Sequence, residues 1–491
     1  MRPPKNPWWP PMHLKTSLSS LILAAAATGC MFHGNTPIAE APASFSFDNT
    51  GNASLNLPQY PWWEEIRSAE LNGLVISALN SNRQVAIASK NIEIAQSALD
   101  TVRLSWLPSI NLMGGRINSN GIVLLPDLPV PLSGTGGFVA FLPTWVANVI
   151  QLPNRTKEAE KKVEVNAAEY LSLRSAVAAQ VVSSYATLLA SIEEERILDE
   201  LQKNLEIQIK TTQSMVSRGL QTQVFINEQD NELLKLQSQA ATNRANKIAA
   251  RNALFSLLGR SLGEFTPTET FNSLHLDHVA PGNTPTSVLA TRPDVAAARA
   301  KIQAADYGIS SKASLFAPTV TFGTASISGN SSGGGSSTSF NENVKMGLAS
   351  LTLDPKFIGE INTANKQYDS SVINYLNVVN NALNDVDNSL AEFEAKQTRL
   401  MKEVKTLANS RNNLATYRAM LENGLLSQTQ YLQGTAQFNL ANMAIVQTKL
   451  QAIISLSRLY QSMGGGATYN QEDYRLQDQS VVSIDREQPN N

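Results

Sequence analysis

The chain contains stretches without helix breakers far longer than a globular helix needs. From Asn154 to Arg218, 65 residues pass without a glycine or proline, and Ala, Leu, Glu, Gln and Lys dominate. At about 1.5 Å per residue such a run makes a rod of roughly 97 Å. Gly219 interrupts it, and a second breaker-free run goes from Leu220 to Leu258 and stops at Gly259. The same layout returns downstream: Glu360 to Asn423 is free of both breakers, Gly424 interrupts, and Leu425 to Met463 leads to Gly464. Gly219 to Gly259 and Gly424 to Gly464 have the same spacing, which reads as an internal duplication of one helical hairpin. Helices are therefore expected over 154–218, 220–258, 360–423 and 425–463.

Shorter elements precede each hairpin. A helix is expected over 69–80 after Pro61-Trp62-Trp63. A second spans 83–105, with Ile87, Ile94, Ala95, Ala98 and Val102 on one face, and 294–316 is its counterpart in the second half. Each leads into a candidate strand pair. Ile110 and Leu112 alternate with Ser109 and Asn111, and Val139, Phe141, Trp145 and Ala147 fall on odd positions. Strands are expected at about 108–118 and 138–150, and in the second half at about 317–328 and 340–353. Between them, 121–137 carries Pro126, Pro129 and Pro131 and is expected to be a loop, as is the Gly/Ser stretch 330–339.

Four strands cannot enclose a lumen, because small membrane barrels use about eight. Open edges are intolerable in lipid, so such a chain must associate with copies of itself. The helices point the same way. Leu198, Leu201, Leu205 and Ile226, Leu233, Leu236, Ala240 make narrow seams near heptad spacing, and the remaining faces carry Gln, Asn, Thr, Ser and Ala.

The ends bear on location. His13 and Lys15 precede an apolar run, Leu18 to Ala27, closed by Thr28-Gly29-Cys30, which reads as an export signal. Its Gly-Cys ending resembles a bacterial lipoprotein signal, with Cys30 acylated as the mature N-terminus; Ala27 departs from the branched aliphatic usual there. Met1 to Pro11 is unlike a signal start and leaves Met12 as an alternative initiator. Beyond the signal no run of 18 apolar residues exists, so no membrane-spanning helix is expected and any crossing must be by strands. A lone cysteine excludes intramolecular disulfides. A formal net charge of −2 gives no basic surface for nucleic acid. Charged residues make up only 16%, which suits wetted walls of Ser, Thr, Asn and Gln.

Little here could catalyse. His275-Leu276-Asp277-His278 is the one cluster resembling a site, and a loop accounts for it better than a metal. Gly329 to Gly335 lacks the lysine and helix start of a phosphate loop. No cofactor, no metal and no enzyme activity are expected.

Taken in order, these pieces resemble a known family, the outer membrane factors: the TolC-like exit ducts of bacterial efflux pumps and type I secretion systems. The resemblance is carried by Trp62-Trp63 with Leu71-Asn72-Gly73-Leu74, and by Trp106-Leu107-Pro108-Ser109-Ile110. Arg218-Gly219-Leu220, Asn252 to Gly259, Thr291-Arg292-Pro293-Asp294-Val295, Tyr417, Gly424, Ser427 and Leu459-Tyr460 continue it. It implies a mainly α fold with a β-barrel portion: four strands per chain in a homotrimer's 12-stranded barrel, continuous with an α-helical barrel. The segments become a lipoprotein signal (1–29), an extended arm (30–60), two outer-membrane-efflux repeats (61–265 and 266–464) and a polar tail (465–491).

The implied role is passive export through the outer membrane for a periplasmic adaptor and an inner-membrane pump of the resistance-nodulation-division type. Arg218, Gly219, Leu220 and Asn423, Gly424, Leu425 become adaptor contacts at the hairpin tips. Some relatives carry acidic residues six and nine positions after the second tip glycine. Here these are Gln430 and Gln433, so an acidic entrance ring is missing, and Glu228 and Asp230 are the nearest substitutes. A type I secretion duct and a structural coiled-coil envelope lipoprotein are the alternatives.

Overall fold

The structure is a computed structural model that describes residues 61–125, 128–276, 289–333 and 336–465. The signal segment, Cys30, the arm to residue 60, Asp277 and His278, and the tail from 466 lie outside the described residues. The fold is mostly helical with one antiparallel sheet. It divides into two compact units.

The first unit comprises Ile92–Val165 and Ala298–Tyr375 and holds the sheet. Its strands are β1 (Ser109–Leu125), β2 (Leu128–Ala147), β3 (Thr319–Gly333) and β4 (Ser336–Ser350). They pair antiparallel in sequence order, so β1 and β4 are both open edges.

The strands correct the expected loops. β1 and β2 stay in register from Ser109↔Thr144 to Leu125↔Leu128, past Pro131 and Pro129. The second hairpin likewise continues to Gly333↔Ser336. Proline removes a ladder donor and is tolerated where a strand is an edge. β2 pairs with β3 only from Gly136 onward, so at Pro129 and Pro131 it has a neighbour on one side alone. Pro143, further in, coincides with a gap in the β2–β3 ladder between Phe141↔Ser326 and Thr144↔Gly323.

Near Trp145, one face of β1, β2 and the start of β3 is apolar and open. Ile110 and Leu112 are 65% and 74% exposed, and Val139, Phe141 and Phe322 are exposed beside them. The alternate positions Leu142 and Thr144 are buried. At one end of the sheet Trp145 donates through Nε1 to the Trp106 carbonyl at 2.7 Å and stacks on Phe322, centroids 5.8 Å apart.

Around the sheet, α2 (Arg83–Leu104), α3 (Gln151–Ser217), α5 (Pro293–Ala313) and α6 (Lys356–Glu422) begin or end. Asn148 starts α3: its Oδ1 accepts from the Gln151 amide at 2.9 Å, and its Nδ2 donates to the Ser314 carbonyl at 2.8 Å. Pro153 is absorbed in the first turn of α3, where a missing N–H costs nothing.

The second unit comprises 61–91, Asn166–Ala297 and the chain from Leu376. It contains α1 (Ala69–Ser81), the α3–α4 hairpin with α4 at Gln223–Leu257, and the α6–α7 hairpin with α7 at Gln428–Ser462. The long helices match in length, 67 residues for α3 and α6 and 35 for α4 and α7. Helix α3 is long and apolar enough to cross a membrane by composition, but 67% of that stretch is buried. Its apolar side chains, Val177, Val181, Val182, Tyr185, Leu188 and Leu189 among them, fill the core instead.

That core is anchored by aromatics with polar handles. Trp62 stacks on Tyr460 at 4.9 Å and meets Trp63 edge-on. Tyr460 Oη donates to Glu65 Oε2, and Tyr185 Oη donates to Glu70 Oε2 at 2.8 Å. Glu70 also accepts from the Thr268 amide and hydroxyl, each at 3.0 Å, fixing the segment that joins the halves. Burial first, and the carboxylate beside each phenol second, push both tyrosine pKa values well above the ordinary range. Arg292 does similar service near the end of α7. It is bidentate to Asp294 at 2.6 and 3.0 Å and donates to the Ser462 carbonyl at 2.6 Å.

Candidate functional site

The two hairpin turns are where the family resemblance implies contact with a partner. Both are built by the same device. Helix α3 ends where Gly219 turns to φ +74°, a left-handed conformation that any side chain would resist. The Gly219 amide then bonds the Val216 carbonyl at 2.9 Å, and the Leu220 amide reaches back to Met215 at 2.9 Å. This is a Schellman motif, and it satisfies the orphan carbonyls at the helix end. At the second turn Gly424 has φ +71°, its amide bonds Leu421 at 3.0 Å, and the Leu425 amide bonds Met420 at 2.8 Å.

The residue after each glycine is a leucine held away from protein. Leu220 is 70% exposed and Leu425 72%. A Cβ built on either glycine would meet no atom within 4 Å. Val224 and Phe225 are exposed beside the first turn and enlarge its apolar surface. The tips thus offer apolar side chains on a rigid turn, with Arg218 and Asn423 exposed next to them.

The turns differ in how the next helix starts. At the second, Ser427 and Gln430 form a capping box. The Gln430 amide donates to Ser427 Oγ at 3.3 Å, and Gln430 Oε1 accepts from the Ser427 amide at 3.1 Å. At the first, Thr222 makes no such side-chain bond. Gln430 is therefore exposed, but its carbonyl oxygen is committed to the cap. Gln433, near the start of α7, and Glu228 and Asp230, near the start of α4, are exposed. The Ser-x-x-Gln spacing was the readable signal for this cap.

A second feature escapes sequence reasoning. Gly434 lies inside α7, and a Cβ there would overlap the Tyr417 ring of α6, whose Cε2 stands 2.8 Å away. The helices of the second hairpin approach closely at this level because position 434 has no side chain. Cys30 lies outside the described residues.

Comparison with known proteins agrees with this architecture. The chain matches the outer membrane efflux protein family over residues 74–260 and 284–465. It is 25% identical to outer membrane protein OprJ of Pseudomonas aeruginosa, covering 91% of this chain and 95% of that one. To the probable outer membrane lipoprotein SilC of Salmonella typhimurium it is 22% identical, covering 92% and 98%. The solved Campylobacter jejuni CmeC outer membrane channel superposes with a TM-score of 0.76 at 17% identity, over 93% of this chain and 99% of that one. With matched segments that take in both hairpins and all four strands, this chain belongs to the outer membrane efflux protein family.

Proposed function

We propose that this protein is the outer-membrane channel of a tripartite efflux system, a passive duct completed by three copies of the chain. The observation that carries the reading is the sheet. Four strands with two open edges and an exposed apolar face cannot be stable in lipid alone, and copies joined edge to edge remove both edges. Three copies would supply a 12-stranded barrel, a size that leaves an aqueous lumen. The matched lengths of the two helical hairpins support the reading of each half as one repeat, 61–265 and 266–464, and give the ring six similar hairpins.

The hairpin tips would then face the periplasmic adaptor, with Leu220 and Leu425 seated in it and Arg218, Gly219, Asn423 and Gly424 shaping the contact. The adaptor in turn would join the duct to an inner-membrane pump, which supplies the energy and selects the small molecules exported. Gln433, Glu228 and Asp230, with Gln430 held by its cap, would line the entrance without a ring of acid at the two glutamine positions. Cys30 would carry the lipid that anchors the mature chain; SilC, a relative, is named a lipoprotein.

Purified protein should run as a heat-modifiable trimer and give single-channel conductance in planar bilayers. An elongated monomer that never conducts would overturn the duct. Palmitate labelling that persists after Cys30→Ser would overturn the anchor alone.

A further inference from the structure

The sheet face that bears Ile110, Phe141 and Phe322 carries two exposed cations among the described residues, Arg116 on β1 and Lys345 on β4, and only Lys345 borders a groove. Lys345 pairs with Thr324, and Thr324 lies two positions from Phe322 on the same face of β3. The lysine is exposed. It borders a groove of about 510 Å³ lined by Pro108, Pro143, Trp145, Phe322 and Gly347, a volume within the range of small-ligand sites. The groove is shaped by backbone and rings together. The Trp145 indole is fixed by its bond to Trp106 and stacked on Phe322. Phe322 in turn lies over Gly347, where a Cβ would stand 3.4 Å from two ring carbons. All of these residues come from one chain, so the groove needs no neighbouring copy.

We infer that this groove is a binding site for an anionic glycerophospholipid, its acyl chain against the Trp145–Phe322 stack and its phosphate on Lys345. The inference rests on the proposed placement of this sheet in the outer membrane. Charge and position both argue for it. A lysine on a lipid-facing strand costs roughly 2–4 kcal/mol at mid-bilayer and about 0–1 near the interface, so the ammonium belongs at headgroup depth. Tryptophan concentrates at that same depth. Lipid phosphates lie there too, and a cation beside an apolar slot complements a molecule with a phosphate on an acyl chain. The residues of the groove sit toward the starts of β1 and β3 and the ends of β2 and β4, away from the Leu125↔Leu128 and Gly333↔Ser336 ends of the ladders. That places the slot at one rim of the sheet and not along its length.

The test reconstitutes the full chain in nanodiscs of mixed phosphatidylglycerol and phosphatidylcholine, then counts retained lipids by native mass spectrometry. Conductance is recorded on the same preparation. The wild type should retain phosphatidylglycerol preferentially, and Lys345→Gln should cut that preference about fivefold, the ratio given by about 1 kcal/mol per basic residue. Lys345→Arg should keep the preference, and Phe322→Ala should lower retention of both lipids. Inorganic phosphate at millimolar concentration should not compete, because it has no chain for the slot. Equal preference in wild type and Lys345→Gln, with conductance intact, overturns the lipid site and leaves the duct standing. Protein that neither conducts nor retains lipid overturns both. Preference lost in Lys345→Gln with conductance unchanged supports the site.

Discussion

Gly259 and Gly424 end helices with the same turn, yet their replacement by alanine should have very different costs. Both hold positive φ, +66° and +71°, so each alanine bears about 1–2 kcal/mol of left-handed strain. For Gly424 that is the whole effect, since the new methyl would meet open space. For Gly259 the methyl would overlap the Ser81 carbonyl oxygen outright, with its carbon at 3.3 Å. That carbonyl cannot swing away freely. Ser81 Oγ donates to the Leu258 carbonyl at 3.0 Å, and Asn82 Nδ2 donates to Leu257 at 2.9 Å. Pushing α1 off the end of α4 loses these two bonds at roughly 0.5–1.5 kcal/mol each and adds overpacking of about 1–3 kcal/mol. The sum for Gly259→Ala is about 3–8 kcal/mol, roughly three to four times that for Gly424→Ala. Thermal unfolding of detergent-purified protein, followed by helical circular dichroism at one scan rate, ranks the two. Equal losses would refute the claim that the Gly259 turn is pinned by α1.

Four further outcomes follow from named contacts. Gly434→Ala should destabilise by about 1–3 kcal/mol through the Tyr417 overlap, partly offset by about 1 kcal/mol of helix propensity; in a Tyr417→Ala background the same change should become stabilising, and a double-mutant cycle measures the difference. Glu194 has a pKa raised by desolvation, so its folding penalty is absent below the unfolded value and grows as pH rises through the folded one; Glu194→Gln should raise Tm at pH 7 and lose that advantage near pH 4. Tyr185 and Tyr460 are pushed upward, so their stabilisation holds below the ordinary phenol value of about 10 and is lost as pH climbs beyond it; the double Phe variant should show a flatter alkaline limb in a pH–Tm profile. Arg292→Ala should cost about 1–3 kcal/mol by leaving the buried Ser462 and Ala382 carbonyls without their donor, and Arg292→Lys should recover only part, because a lysine cannot bridge Asp294 and Ser462 together.

The helices were legible because one signal controls them. A run free of glycine and proline has no cheaper conformation than helix, and glycine at its end supplies the left-handed residue that stops it. Gly219, Gly259, Gly424 and Gly464 all do so, each with positive φ. What each turn faces was not legible. Gly219 and Gly424 stand in open space, Gly259 is pressed on Ser81, and a Cβ on Gly464 would stand 3.4 Å from Arg292 and Thr291. Local sequence encodes the turn, but the neighbour comes from 172 to 178 residues earlier in the chain. Tyr417 lies only 17 residues before Gly434, but across the hairpin turn on the adjoining helix, where no local pattern shows the contact.

The strands were half legible for a different reason. Alternation exposed their inner parts, around Ile110, Leu112, Val139 and Phe141, but prolines and glycines masked the rest. A proline argues against a strand only if both sides of that strand must donate. At Pro129 and Pro131 just one side is paired, because β3 ends its pairing with β2 at Gly136↔Ser331. The ladder that excuses these prolines is made by a strand nearly two hundred residues later, with the whole first hairpin between. Unequal strand reach is thus what lets β2 carry proline so far, and it leaves the outer part of β2 with a bare edge. Such an edge persists only where proline itself blunts it: without an N–H at 129 and 131, two donors that could recruit a stray strand are missing. The residues that misled the reading of the sequence are the ones that keep the exposed half of this hairpin from pairing with the wrong partner.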